Sequence, residues 1–114
     1  MELESTQLTE GTIMISLNGR LDINGVNAVN NRFAILATTH KTDVIVDLAG
    51  VSFMASIGIR MFMEAARGQH GRGGKLVIAA AQPAVTKVLV TTGVNQLIPL
   101  HDDVESAQAA LAEA

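Results

Sequence analysis

Ser56 stands in the run VSFMASIGIR (residues 51–60), a small hydroxyl residue among apolar neighbours with Gly58 two places beyond it. A serine can act as a nucleophile or accept a phosphate. Nucleophilic attack needs a base and a G-x-S-x-G elbow, whereas Met54, Ala55, Ile57 and Gly58 flank this serine and no histidine is set beside it by spacing. The run therefore assigns no catalytic residue, and the protein reads as a non-enzyme. Phosphate acceptance asks only for an accessible hydroxyl, and a helix N-terminus suits the product because its free N–H groups and dipole favour an anion. The plain alternative is that Ser56 is a helix N-cap, worth about 1 kcal/mol. A cap explains the serine but not Gly58, which costs about 1 kcal/mol relative to alanine inside a helix and so needs a reason of packing or of access. A glycine there would leave the hydroxyl and the N–H groups open to a visitor.

Other residue types with chemical potential are weaker candidates. His40, His70 and His101 share no i, i+4 spacing with one another or with a carboxylate pair. Metal sites need three or four converging ligands, so no metal is assigned. The run GRGGK (71–75) has the composition of a phosphate-cradling loop but follows a helical pattern and leads into a strand, the reverse of a P-loop. It reads as a turn with positive φ angles. Asp22 and Asp47 each fall near the C-terminal end of an expected strand, where sites gather in open α/β sheets. Both also suit structural roles, Asp22 as a turn or cap residue and Asp47 as a solvated strand end.

The elements that position these residues follow from hydrophobic period. Residues 12–19 alternate as a half-buried strand, with Ile13, Ile15 and Leu17 on one face. Leu3, Ser5 and Gln7 alternate more weakly, as a polar edge strand joined through a hairpin. Val26, Val29, Phe33 and Leu36 mark a first helix, and DVIVDL (43–48) reads as a central strand covered on both faces. From Ser56, a stripe of Ile59, Phe62, Met63 and Ala66 opposes Arg60, Glu64 and Arg67, which starts a second helix at that serine. KLVIAA (75–80) is another buried strand, Pro83 and Gly93 bracket a short helix, QLIPL is a last strand, and DDVESAQAALAEA a terminal helix. The order ββαβαβαβα predicts an α/β fold: a mixed, mostly parallel sheet of about five strands with helices packed against it, as a single domain over residues 1–114.

Composition narrows the partners. The 114 residues carry a net charge of −3, three aromatic residues (all Phe) and no Trp or Tyr. There is neither a basic stripe nor a stacking surface for nucleic acid. The absence of cysteine excludes disulfide and thiolate sites. The start MELESTQLTEG is unlike a signal peptide, and no apolar run approaches the roughly 18 residues of a membrane span. The expectation is a soluble, cytoplasmic protein without direct membrane insertion and without a cofactor.

The run VDLAGVSFMASIGIRMFMEAARGQHGRGGKLVIAA, then VTKVLVTTGVNQLIPLHDDVESAQAAL, with GRLD before the first helix, resembles the STAS domain of anti-sigma factor antagonists and of sulfate-transporter tails. Ser56 matches the phosphate-accepting serine of the phosphorylated members, Gly58 their glycine and Ile59 their leucine; Ala55 replaces the usual Asp and Ile57 the second hydroxyl. The resemblance implies a partner switch. The unmodified domain binds a kinase-type anti-sigma factor, phosphorylation at Ser56 breaks the complex, and a PP2C-like phosphatase restores it. The partner surface then takes in Asp22, Met54, Ala55, Ser56, Ile57, Gly58 and Arg60. A second implied reading is an unphosphorylated STAS interaction subunit of another regulatory or membrane-transport complex, in which Ser56 is only a cap.

Overall fold

A computed structural model describes residues 1–113. The elements run β1 (Glu2–Thr9), β2 (Thr12–Leu21), α1 (Ile23–Thr38), β3 (Asp43–Met54), α2 (Ser56–Arg72), β4 (Leu76–Ala79), α3 (Pro83–Thr91), a 3-10 turn (Val94–Gln96), β5 (Leu100–His101) and α4 (Val104–Glu113). This is the expected ββαβαβαβα order. The five strands lie side by side in chain order, β1 antiparallel to β2 and each later strand parallel to the one before. A parallel neighbour requires a crossover, so a helix follows each of β2, β3 and β4.

The sheet separates two apolar layers, and β3 shows why its sequence is apolar without alternation. Val44 and Val46 join the larger core with Phe33, Phe62, Val85 and Leu89 of the three crossover helices, whereas Ile45 joins Val77, Ala79, Ala107 and Leu111 beneath α4. Phe33 and Phe62 meet between α1 and α2 with ring centroids 5.5 Å apart. The buried line of α2 is Gly58, Met61, Phe62, Ala65 and Gln69, so the expected stripe is rotated: Ile59, Met63 and Ala66 are half-buried flanks. Gln69 is fully buried yet fully used. Its Nε2 donates to the carbonyls of Ala37 and His40, both at 2.6 Å, and its Oε1 accepts from Thr42 N–H at 3.1 Å. It thereby clamps the C-terminal half of α2 to the connection between α1 and β3.

Two further expectations change. The last strand is Leu100–His101 rather than QLIPL; Gly93, with φ 81°, starts a 3-10 turn over Val94–Gln96, and Pro99 has no N–H to offer a ladder. Asp47 sits mid-strand rather than at a strand end, because β3 runs on to Met54; its carboxylate accepts from Ser16 Oγ (3.2 Å) and Ala49 N–H (3.0 Å). β1 is the polar edge strand expected, paired with β2 in a hairpin: of its alternating set only Leu3 is buried, and Leu8 is half-buried.

Candidate partner-docking end of the sheet

The pairing of β2 with β3 builds the site. β4 pairs with β3 only from Val44 to Asp47, whereas β2 continues beside β3 until Leu21 stands opposite Met54. Two one-residue register shifts interrupt this long pairing, between Ser16 and Asn18 and between Gly19 and Arg20. Gly50 lies at the first shift, where an added Cβ would fall 1.7 Å from Asn18 Oδ1. A side chain there would displace the bulge. The shifts place Arg20 opposite Phe53 and bring both strands to an end together. The N-termini of α1 and α2 thus open side by side, and Ala55 N–H donates to Leu21 C=O at 2.9 Å.

Asp22 is the N-cap of α1: its Oδ1 accepts from Gly25 N–H at 2.8 Å. Its Oδ2 lies 3.6 Å from Arg20 Nε, and the Arg20 guanidinium covers the Phe53 ring at 4.4 Å. The hydrogen bond from Gly25 holds the Asp22 carboxyl below its ordinary value, with the charge of Arg20 adding to the effect. Asp22, Arg20 and Phe53 form a continuous surface strip, extended by Ile23, which is 64% exposed. Sequence reasoning missed Arg20, Ile23 and Phe53. An apolar residue close to each strand end, Phe53 one place before the end of β3 and Ile23 two places past the end of β2, was the available signal, but period alone could not say that these two point outward.

Ser56 is exposed at the first turn of α2, but it does not cap the helix. The N-cap is Ala55, extended at φ −94° and ψ 169°, which has no side-chain acceptor. Ser56 is the first helical residue, and its hydroxyl makes no hydrogen bond among the described residues. Gly58 also differs from its expected role. It is buried, and an added Cβ would lie 3.3 Å from Leu21 Cβ and 3.4 Å from Met54 Cγ, so the glycine admits close packing of α2 onto the strand ends rather than access to the hydroxyl. Met54, 4% exposed, belongs to the core beneath this turn and presents no docking surface. Ala55 and Ile57 are half-buried and Arg60 is exposed. Of the seven residues assigned to a partner surface, Asp22, Ala55, Ser56, Ile57 and Arg60 reach solvent, and Met54 and Gly58 support them from below.

His40 and His70 are exposed at the ends of α1 and α2, His101 lies in β5, and no three His, Cys, Asp or Glu residues converge on a metal position among the described residues. Gly73, with φ 90°, closes α2 in the left-handed conformation, which is the turn expected of GRGGK. No helix is long and apolar enough to cross a membrane among the described residues.

Comparison with known proteins places this geometry. The family model described as "Mlab, STAS domain" matches residues 4–99. The anti-sigma factor antagonist SpoIIAA in its unphosphorylated form superposes with a TM-score of 0.82 at 20% identity, over 99% of this chain and 98% of that one. An anti-sigma-factor antagonist (STAS) domain protein of Planctomyces limnophilus gives 0.86 at 20% identity, over 96% and 97%. The STAS domain of a SulP transporter from Vibrio cholerae gives 0.73 at 27% identity, over 95% and 86%. With the family model spanning most of its length and the same fold throughout, this chain belongs to the STAS family.

Proposed function

We propose that this protein is a non-enzymatic partner-switch regulator of the anti-sigma factor antagonist type. In this reading it binds a kinase-type anti-sigma factor through the Asp22 and Ser56 end of the sheet, and phosphorylation of Ser56 releases the partner. The observation that carries it is the position of Ser56: an exposed hydroxyl without a hydrogen-bond partner among the described residues, in the first turn of a helix beside an exposed apolar and cationic strip. A phosphate adds about −1.5 to −2 charge. At the positive end of α2 the fold tolerates that charge. In an interface formed by Phe53, Ile23 and Ile57, the same charge must be desolvated, which weakens binding. A PP2C-like phosphatase would reset the switch, and the cytoplasm is where such partners would act.

The test joins modification to binding. Intact mass of protein taken from its native cells should show a phosphate on a fraction of molecules, mapped to Ser56 and absent from Ser56→Ala. Ser56→Asp should bind the anti-sigma factor more weakly by on the order of 1 to 3 kcal/mol, as expected for a charge placed in an apolar contact. Absence of phosphate under all growth conditions, with equal affinities for wild type, Ser56→Asp and Ser56→Ala, would end this reading. The second reading, an unphosphorylated interaction subunit of a membrane-transport complex, draws on Ala55 and Ile57, which replace the acidic and hydroxyl residues of the phosphorylated pattern, and on the similarity to a SulP transporter domain. It predicts partner binding indifferent to the charge at Ser56.

A further inference from the structure

A cleft opens on the molecule away from Ser56. It lies between the C-terminal half of α2 and the start of β4, and its volume is about 590 Å³. Along α2, Ser56 lies seven positions from Met63 at the near edge of the cleft and fourteen from His70 at its far edge, about 10 Å and about 21 Å along the helix axis. The cleft exists because β5 is too short to cover β4: it pairs only with Ile78 and Ala79, which leaves Leu76 without a strand neighbour on that side. Met63 and Ala66 of α2, Leu76 of β4 and Leu97 of the following connection give it apolar walls. Leu97 is 68% exposed although it lines a concave surface.

The charged side chains of the lining, Arg67 and Lys75, have one sign. Arg67, His70 and Lys75 stand around the cleft, and no acidic residue lines it. None of the three is paired with a carboxylate among the described residues, whose one ion pair is Arg20 with Asp22. Asp43 reaches Lys75 only at its backbone N–H, at 3.1 Å. His70, in the last turn of α2, also suits the negative end of that helix. That role does not extend to Lys75, which lies beyond the helix, nor does it require an apolar cleft beneath the charges. A volume of this size falls in the range of about 300 to 1,000 Å³ typical of small-molecule sites. Apolar walls under an unpaired cationic rim match a ligand with an apolar body and one anionic end.

We propose that this cleft binds a small amphipathic carboxylate as a single soluble molecule, its apolar body against Met63, Ala66, Leu76 and Leu97 and its carboxylate among Arg67, His70 and Lys75. The site is independent of the switch proposed at Ser56, and Ser56→Asp should leave it intact.

Octanoate, used below its micelle concentration, is the probe. In a ¹H–¹⁵N titration it should shift the amides of Ala66, Arg67, His70, Leu76 and Leu97 saturably, while octanol and octylammonium produce much smaller changes at the same residues. Lys75→Gln and Arg67→Gln should each raise the Kd by about tenfold, the equivalent of one charge-assisted contact. Ala66→Leu should fill the floor and abolish the shifts. The melting temperature of each variant without octanoate establishes that it is folded, and Lys75→Gln, at an exposed side chain, provides the test should Ala66→Leu unfold. Equal shifts with octanol, shifts scattered over the surface, or an unchanged Kd in both charge variants would overturn the site. Adsorption to anionic vesicles without saturable octanoate binding would equally overturn it.

Discussion

Ala55 occupies an N-cap position that its side chain cannot serve, which makes it the place where the site can be strengthened on purpose. Its backbone is already extended, as a cap requires. Gly58 N–H bonds to Ala55 C=O at 3.0 Å, whereas Ile57 N–H has no protein partner among the described residues. Ala55→Ser would supply an acceptor to this turn without moving the chain. Replacing alanine by serine at an N-cap is worth about 1 kcal/mol, within a range of about 0.5 to 2. For a domain of this length that corresponds to about 4 °C in melting temperature. Ala55→Asp adds an anion at a helix N-terminus, worth about 0.3 to 1 kcal/mol, but brings it towards the Asp22 side of the surface, so its advantage over serine should be small and dependent on salt. Ser56→Ala removes no cap and should remain within about 0.5 kcal/mol of wild type, against the loss of about 1 kcal/mol that the cap reading of Ser56 requires. Urea denaturation of the three variants at two salt concentrations measures all of this. If Ala55→Ser is no more stable than wild type while Ser56→Ala loses about 1 kcal/mol, the assignment of the cap to Ala55 is wrong.

Gln69→Met preserves volume but removes three hydrogen bonds, leaving the buried Ala37 carbonyl without its donor; a loss of about 2 to 4 kcal/mol in urea denaturation and faster hydrogen exchange at Thr42 N–H are expected. A loss below about 1 kcal/mol with unchanged exchange would show that water replaces the side chain. Asp22→Asn keeps a favoured cap and removes only the charge facing Arg20, whereas Asp22→Ala removes both, so the alanine variant should melt lower and the asparagine variant should isolate any effect on partner binding. Because the folded Asp22 carboxyl lies below the 3.8 of an unperturbed aspartate, its contribution to stability is present above that value and lost as pH falls through the folded value. Asp103, depressed chiefly by the Ser106 hydroxyl, contributes with the same sign. Wild type should therefore lose stability faster than Asp22→Asn as pH falls from the ordinary aspartate value of 3.8 through the lower folded value, and parallel curves would contradict the role given to the charge.

Much of the fold was legible because its signals are local. Helical and strand periods, Pro83 and Gly93 as punctuation, and the unbroken DVIVDL run each depend on a few neighbouring residues. The two-sided burial of β3 follows from Val44 and Val46 facing one layer and Ile45 the other. Asp22 was likewise legible as a cap, since an aspartate ahead of a helical stripe is a local pattern, and Ser56 was found because a small polar residue interrupts an apolar run at a helix start.

What the sequence could not decide depends on partners distant along the chain. The β2 and β3 register, with shifts that fit Asn18 against Gly50, determines that Arg20 meets Phe53 and that both helices open together. The bond from Ala55 N–H to Leu21 C=O belongs to that same pairing, at the residue that caps α2, one position before the serine. Gly58 looked like an opening and is a contact, because the strand end beneath it comes from residue 21. Gln69 lies on the buried face by helical period, i+7 from Phe62, but whether a polar side chain can stay there depends on the carbonyls at 37 and 40 and the N–H at 42 that converge on it. Hydrophobic period encodes which face of an element is turned inward, but the register, the caps shared between strands and the satisfaction of a buried amide exist only once separate segments have docked.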